Sequence, residues 1–115
     1  MTSGETQITR RSVGDVEVIR LQGDVDFAIA DDVREALCAA GADVVVVDLG
    51  PIDFIDSAGL RALDSANREL RVAGRTLALV APPASRAAFT FRVAGFSKDG
   101  VYDSVDTVLR RVARS

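Results

Sequence analysis

Val44-Val45-Val46-Val47 is an unbroken β-branched run near the middle of the chain, and it predicts a strand buried on both faces. Gly50-Pro51 turns the chain, and Phe54-Ile55 returns it to the apolar layer. From Asp56-Ser57 onward, Leu60, Leu63 and Leu70 recur at helical spacing and predict a helix over about 58–73 that stops at Gly74. Ser57 is therefore expected at the exposed mouth of a strand–turn–helix unit, at the positive end of a helix and beside a carboxylate.

The flanking segments follow the same logic. Residues 1–7 are polar and are expected to be frayed. Ile8 to Ser12 predicts a short edge strand, Gly14-Asp15 a turn, and Val16 to Leu21 a second strand that Gly23 breaks, so the domain over 8–115 opens with a hairpin. Gly23-Asp24-Val25-Asp26 is expected to be a loop. Ala28 to Ala40 predicts a helix with Ile29, Val33, Ala36, Leu37 and Ala40 on one side, Asp31 and Asp32 in the first turn, and Gly41 at its end. After the Ser57 helix, Arg75 to Ala81 predicts a strand, Ala84 to Ala94 a helix, Val101-Tyr102 a short strand and Asp103 to Arg114 a closing helix. The order β-β-α-β-α-β-α-β-α predicts an α/β fold, a mixed but mostly parallel sheet with about four helices packed on it. Sites in such sheets gather at the carboxyl ends of the strands, which would bring the acidic loop and Ser57 to one end.

Composition narrows the chemistry. The chain has 115 residues, enough for one domain. It has no histidine and one cysteine, which removes Ser-His and Cys-His nucleophile pairs, an internal disulfide and a cysteine zinc cluster. Cys38 sits beside the apolar stripe of its helix and is read as a half-buried filler. With no apolar leader at the N-terminus and no run long enough to span a bilayer, the expected location is the cytoplasm, without membrane insertion. The net charge of -3 is unevenly distributed. Residues 1–57 carry 12 acidic and 4 basic side chains, and residues 58–115 carry 5 acidic and 10 basic. Asp53 and Asp56 flank the Ser57 turn, an acidic rim that would repel nucleic acid. The later arginines are scattered and lack interleaved aromatics, so no direct nucleic-acid contact is expected.

No phosphate-binding loop, dinucleotide fingerprint, GxSxG or HExxH motif is present. Asp24, Asp26 and Asp56 could together hold magnesium, but a solvated loop is the simpler reading. A receiver domain phosphorylated on aspartate would need a lysine after a late strand, and the only lysine is Lys98, after Gly95. For Ser57 two readings stand. It can be a helix N-cap contributing about 1 kcal/mol. It can instead be a phosphoacceptor whose modification, adding about 1.5–2 negative charges, switches a docking surface without refolding the domain.

The segments Val46-Val47-Asp48-Leu49 and Phe54-Ile55-Asp56-Ser57-Ala58-Gly59-Leu60 resemble the signature of STAS domains of the anti-anti-sigma factor family. Gly23-Asp24-Val25-Asp26 resembles that family's Gly-Glu-Leu-Asp loop, and Ala73-Gly74-Arg75, Val93-Ala94-Gly95-Phe96 and Asp103-Ser104-Val105 match later segments in order. The resemblance covers about residues 8–112. It implies an anti-sigma factor antagonist, not an enzyme and with no cofactor of its own. Ser57 would be phosphorylated by an anti-sigma factor that is also a serine kinase, which supplies the ATP. Asp24, Asp26, Asp56, Ala58, Gly59 and Leu60 would meet that partner, and a phosphatase would reset the switch. Two positions depart from the family pattern: Ile29 stands where a capping threonine is common, and Asp24 replaces a glutamate. The alternatives are a STAS module of a scaffold or lipid-transport complex, and a small-ligand or nucleotide-binding domain, both without Ser57 phosphorylation.

Overall fold

Strand and helix alternate from the second strand onward as the apolar pattern predicts, except in the middle of the chain, where two strands follow one another between the first and second helices. A computed structural model describes residues 6–96 and 99–113. The elements are β1 (Gln7–Val13), β2 (Val16–Val25), α1 (Ala30–Ala39), β3 (Val44–Asp48), β4 (Ile52–Ile55), α2 (Ser57–Val72), β5 (Thr76–Val80), α3 (Arg86–Ala94), β6 (Val101–Tyr102) and α4 (Val105–Ala113). The sheet runs β1-β2-β3-β5-β6, and β4 pairs β2 outside that path. Among the described residues only the β1–β2 hairpin is antiparallel. The α/β, mostly parallel architecture with four helices is as expected, with one strand more.

The valine run is the centre of the sheet. Val45 and Val47 face the layer of α1, α2 and α3, while Val46 faces the side that α4 covers, and all three are fully buried. Burying a side chain of that size contributes about 1.5–3 kcal/mol, so this strand anchors both cores. The buried face of α2 is Gly59, Ala62, Leu63, Ala66 and Leu70, at helical spacing. Leu60 is half-buried and packs against the same core. Arg34 of α1 pairs with Glu69 of α2 at 2.7 Å. Cys38 lies half-buried near that pair; burial pushes its thiol pKa up and Glu69 adds to the effect, which favours the protonated thiol.

Four expectations need correction. Gly23 does not end the second strand. It takes φ +91°, a conformation glycine adopts without a Cβ clash, at a register shift between Gly23 and Asp24. The bulge lets one long strand serve two partners, with Val16 to Arg20 pairing β3 and Gly23 to Val25 pairing β4. The predicted acidic loop is thus strand through Val25. Second, β4 exists, and Phe54 does not return to the apolar layer: it is exposed, and Ile52 and Ile55 are the buried residues of that strand. Third, α1 begins at Ala30, after a turn over 27–29, and ends before Gly41 because Ala40 is already extended. Fourth, the last two helices start later than expected. Ser85 caps α3 by accepting from Ala88 N, and Ser104 accepts from Thr107 N at the start of α4. Of the N-terminal segment, residues 1–5 lie outside the described residues, as do Lys98 and Arg114. Thr6 donates its hydroxyl to the Asp24 carbonyl, and Gln7 already belongs to β1.

Candidate functional site

β2 and β4 end side by side, with Asp24 opposite Phe54 and Val25 opposite Ile55. Asp56 N donates to the Val25 carbonyl at 3.2 Å, which fixes where α2 starts. Asp56 is the N-cap of α2, in extended backbone. Its Oδ1 accepts from Gly59 N at 2.9 Å and its Oδ2 from Phe27 N at 3.1 Å. One carboxylate therefore satisfies an orphan donor of the helix and ties the helix start to the β2–α1 loop. In that loop, Asp26 Oδ1 accepts from Ala28 N and the Asp26 carbonyl accepts from Ile29 N, both at 3.1 Å. Ile29 occupies the N-cap of α1 with no side-chain cap, so Asp26 and Asp56 hold the loop where a capping hydroxyl is absent.

Asp24, Asp26, Asp56 and Ser57 thus share one end of the sheet, as the topology predicts. Ser57 is the first residue of α2 and is exposed. The N-cap role belongs to Asp56, because its side chain reaches the third helical N–H. The Ser57 hydroxyl is exposed and has no hydrogen-bond partner among the described residues, so it does not cap the helix. Ala58 and Leu60 are half-buried. Gly59 is buried, and its contribution is close approach: a Cβ there would lie 2.5 Å from the Val25 carbonyl oxygen and 2.7 Å from Ile55 Cγ1.

The sequence reasoning missed three residues. Phe27 is 82% exposed although its backbone is pinned by Asp56. Phe54, 47% exposed, sits on the neighbouring strand. An aromatic between Asp26 and Ala28, outside the helical stripe, was the available signal for the first; nothing in the periodicity signalled the second. Arg61 joins Ser57 in lining a groove of about 710 Å³ between α2 and the end of α3, floored by Leu63, Leu77 and Leu79. Among the described residues no three Cys, Asp or Glu side chains converge to hold a metal ion, so Asp24, Asp26 and Asp56 do not form such a site. No described helix is long and apolar enough to cross a membrane.

The sequence model of the STAS domain matches residues 7–108. The chain belongs to the STAS domain family. Solved structures similar to this STAS domain include an anti-sigma factor antagonist from Mycobacterium paratuberculosis, at 23% identity, TM-score 0.80 and 96% coverage of each chain. The Bacillus cell fate determinant SpoIIAA in its phosphorylated form matches at 20% identity and TM-score 0.69, over 94% of this chain and 99% of that one. A sulfate transporter family protein from Wolinella succinogenes matches at 21% identity and TM-score 0.71, over 88% and 87%. No curated protein sequence matches this STAS domain. At these identities the likeness is one of fold.

Proposed function

We propose that this STAS domain is an anti-sigma factor antagonist switched by phosphorylation of Ser57. In its unmodified form it binds an anti-sigma factor that is also a serine kinase and frees a sigma factor; phosphorylation releases it, and a phosphatase restores it. It acts in the cytoplasm, as a binding protein and not as an enzyme. The observation that carries the reading is the exposed Ser57 hydroxyl on the first residue of α2, without a partner among the described residues, in a frame that Asp56 ties together by two hydrogen bonds. The similarity in fold to antagonists of anti-sigma factors supports it.

The chemistry asks little of this chain. Ser57 Oγ attacks the γ-phosphorus of ATP and a new O–P bond forms. The bond to the β,γ-bridging oxygen breaks, ADP leaves, and the hydroxyl proton passes to a base on the kinase. The domain's task is presentation. Exposure means that a dianionic group can be carried at Ser57 without a desolvation cost, and the start of a helix tolerates negative charge. A partner that covers Phe27 and the Asp24/Asp26/Asp56 surface would have to desolvate that new charge beside existing carboxylates, which is unfavourable. Phe27 is the kind of exposed aromatic that anchors an interface.

Incubation with ATP and lysate of the native host should add one phosphoryl group to the wild type and none to Ser57→Ala, read by intact-protein mass spectrometry. Equal modification of both proteins would remove Ser57 from the account. No modification of either would favour a STAS module that works without it, as in a transport assembly.

A further inference from the structure

We propose that Arg61 is the internal counter-ion of phosphorylated Ser57, a clamp that forms only once the phosphoryl group is present. The inference rests on the reading of Ser57 as a phosphoacceptor. The two residues are four apart on α2 and line the same groove. Residues at that spacing are neighbours on a helix surface. Helical side chains lean toward the N-terminus, so a long side chain at the later position reaches back over the earlier one. The order Ser57 then Arg61 is the productive one.

Arg61 is exposed, and among the described residues it has no hydrogen-bond or ion-pair partner. Of the other two arginines that line the groove, Arg68 pairs with Asp64 at 2.5 Å, and Arg71 stands in the last turn of α2, at the opposite end of the helix from Ser57. Three carboxylates of this region already have partners. Asp56 is held by Gly59 N and Phe27 N, Asp26 by Ala28 N, and Asp64 by Arg68. Asp99 lies on the other wall of the groove. Along α2, Arg61 is the cation nearest to Ser57, and Arg68 follows seven residues later. A neutral hydroxyl gives a guanidinium little reason to order. A phosphate offers two oxygens that the planar guanidinium fork can bind together.

Phosphorylation then alters two groups at once. It adds an anion at Ser57 and withdraws the Arg61 cation from the groove it borders. A partner whose acidic group relied on Arg61 would lose that contact at the same moment as it met the phosphate.

The test installs phosphoserine at position 57 during translation, so that no kinase is needed, and follows the phosphate by phosphorus NMR as pH is varied. The second ionisation of phosphoserine ordinarily lies near about 6. In the clamp it is held lower, because Arg61 favours the dianion, and Arg61→Gln should raise it by about 0.5. Arg61→Lys should raise it less, since the charge is kept and the fork is lost. The Arg61 Nε–H signal of the wild type should move with the same transition. The same ionisation in wild type and Arg61→Gln, or an Arg61 signal indifferent to the phosphate, would overturn the clamp. Unmodified Arg61→Gln should melt with the wild type, which guards against a folding artefact. A clamp seen on installed phosphoserine in a chain that no kinase modifies counts against the proposed function alone; a flat titration with normal kinase modification counts against the clamp alone.

Discussion

Gly59→Ala should destabilise the domain by about 2–3 kcal/mol, and Gly59→Val by more, so that the valine variant is poorly folded or insoluble. Helix propensity alone points the other way, since alanine is favoured over glycine by about 1 kcal/mol in a helix interior. The local geometry decides the sign. The new Cβ would sit 2.5 Å from the Val25 carbonyl oxygen, a backbone atom of a sheet strand, and 2.7 Å from Ile55 Cγ1. Neither neighbour is the free end of a flexible side chain. Val25 is held in the β2–β4 pairing, and its carbonyl also accepts Asp56 N. Relief therefore requires α2 to back away from the sheet, which breaks the bond that positions Ser57. Urea denaturation measures this directly. An alanine variant as stable as the wild type would show that α2 shifts without cost and that the close packing is not structural.

Asp56→Ala should cost about 2 kcal/mol, and for a domain of this size that lowers the melting temperature by roughly 6–12 °C. The loss has two parts. An N-cap carboxylate on the third helical N–H contributes about 1 kcal/mol, and the bond to Phe27 N, also to a charged acceptor, contributes a similar amount. Asp56→Asn keeps one acceptor oxygen and should lose about half as much, because its amide nitrogen cannot accept the second N–H. Amide exchange should quicken at both Gly59 and Phe27 in Asp56→Ala. Quickening at Gly59 alone would mean that Asp56 caps the helix without tying the loop, and the site would be less rigid than described.

What the sequence revealed and what it hid follow from the range of the forces involved. The valine run, the α2 stripe and the later strand–helix alternation are local patterns with a strong period, and each appears in the structure. That the acidic residues and Ser57 share one end followed from topology. The bulge at Gly23 did not. A glycine inside an apolar pattern signals a break or a bulge equally, and only the pairing of β2 with both β3 and β4 separates them. The exposure of Phe54 is hidden for a related reason: β4 has four residues, too few for alternation to show which side is buried. The capping role passed from Ser57 to Asp56 because either side chain could serve, and the choice depends on a one-residue difference in where the helix begins. Helix spacing shows that Arg61 can reach Ser57, but not that the next arginine along α2, Arg68, is already paired with Asp64.

The most direct measurement is capture from native-host lysate with Ser57→Ala and Ser57→Glu as paired baits, read by mass spectrometry. Both substitutions are at an exposed position, and both proteins should fold like the wild type, which a melting curve checks. The account predicts that the alanine bait retains an anti-sigma factor with serine kinase activity and that the glutamate bait loses it. Recovery of the same proteins by both baits would contradict a charge switch at Ser57.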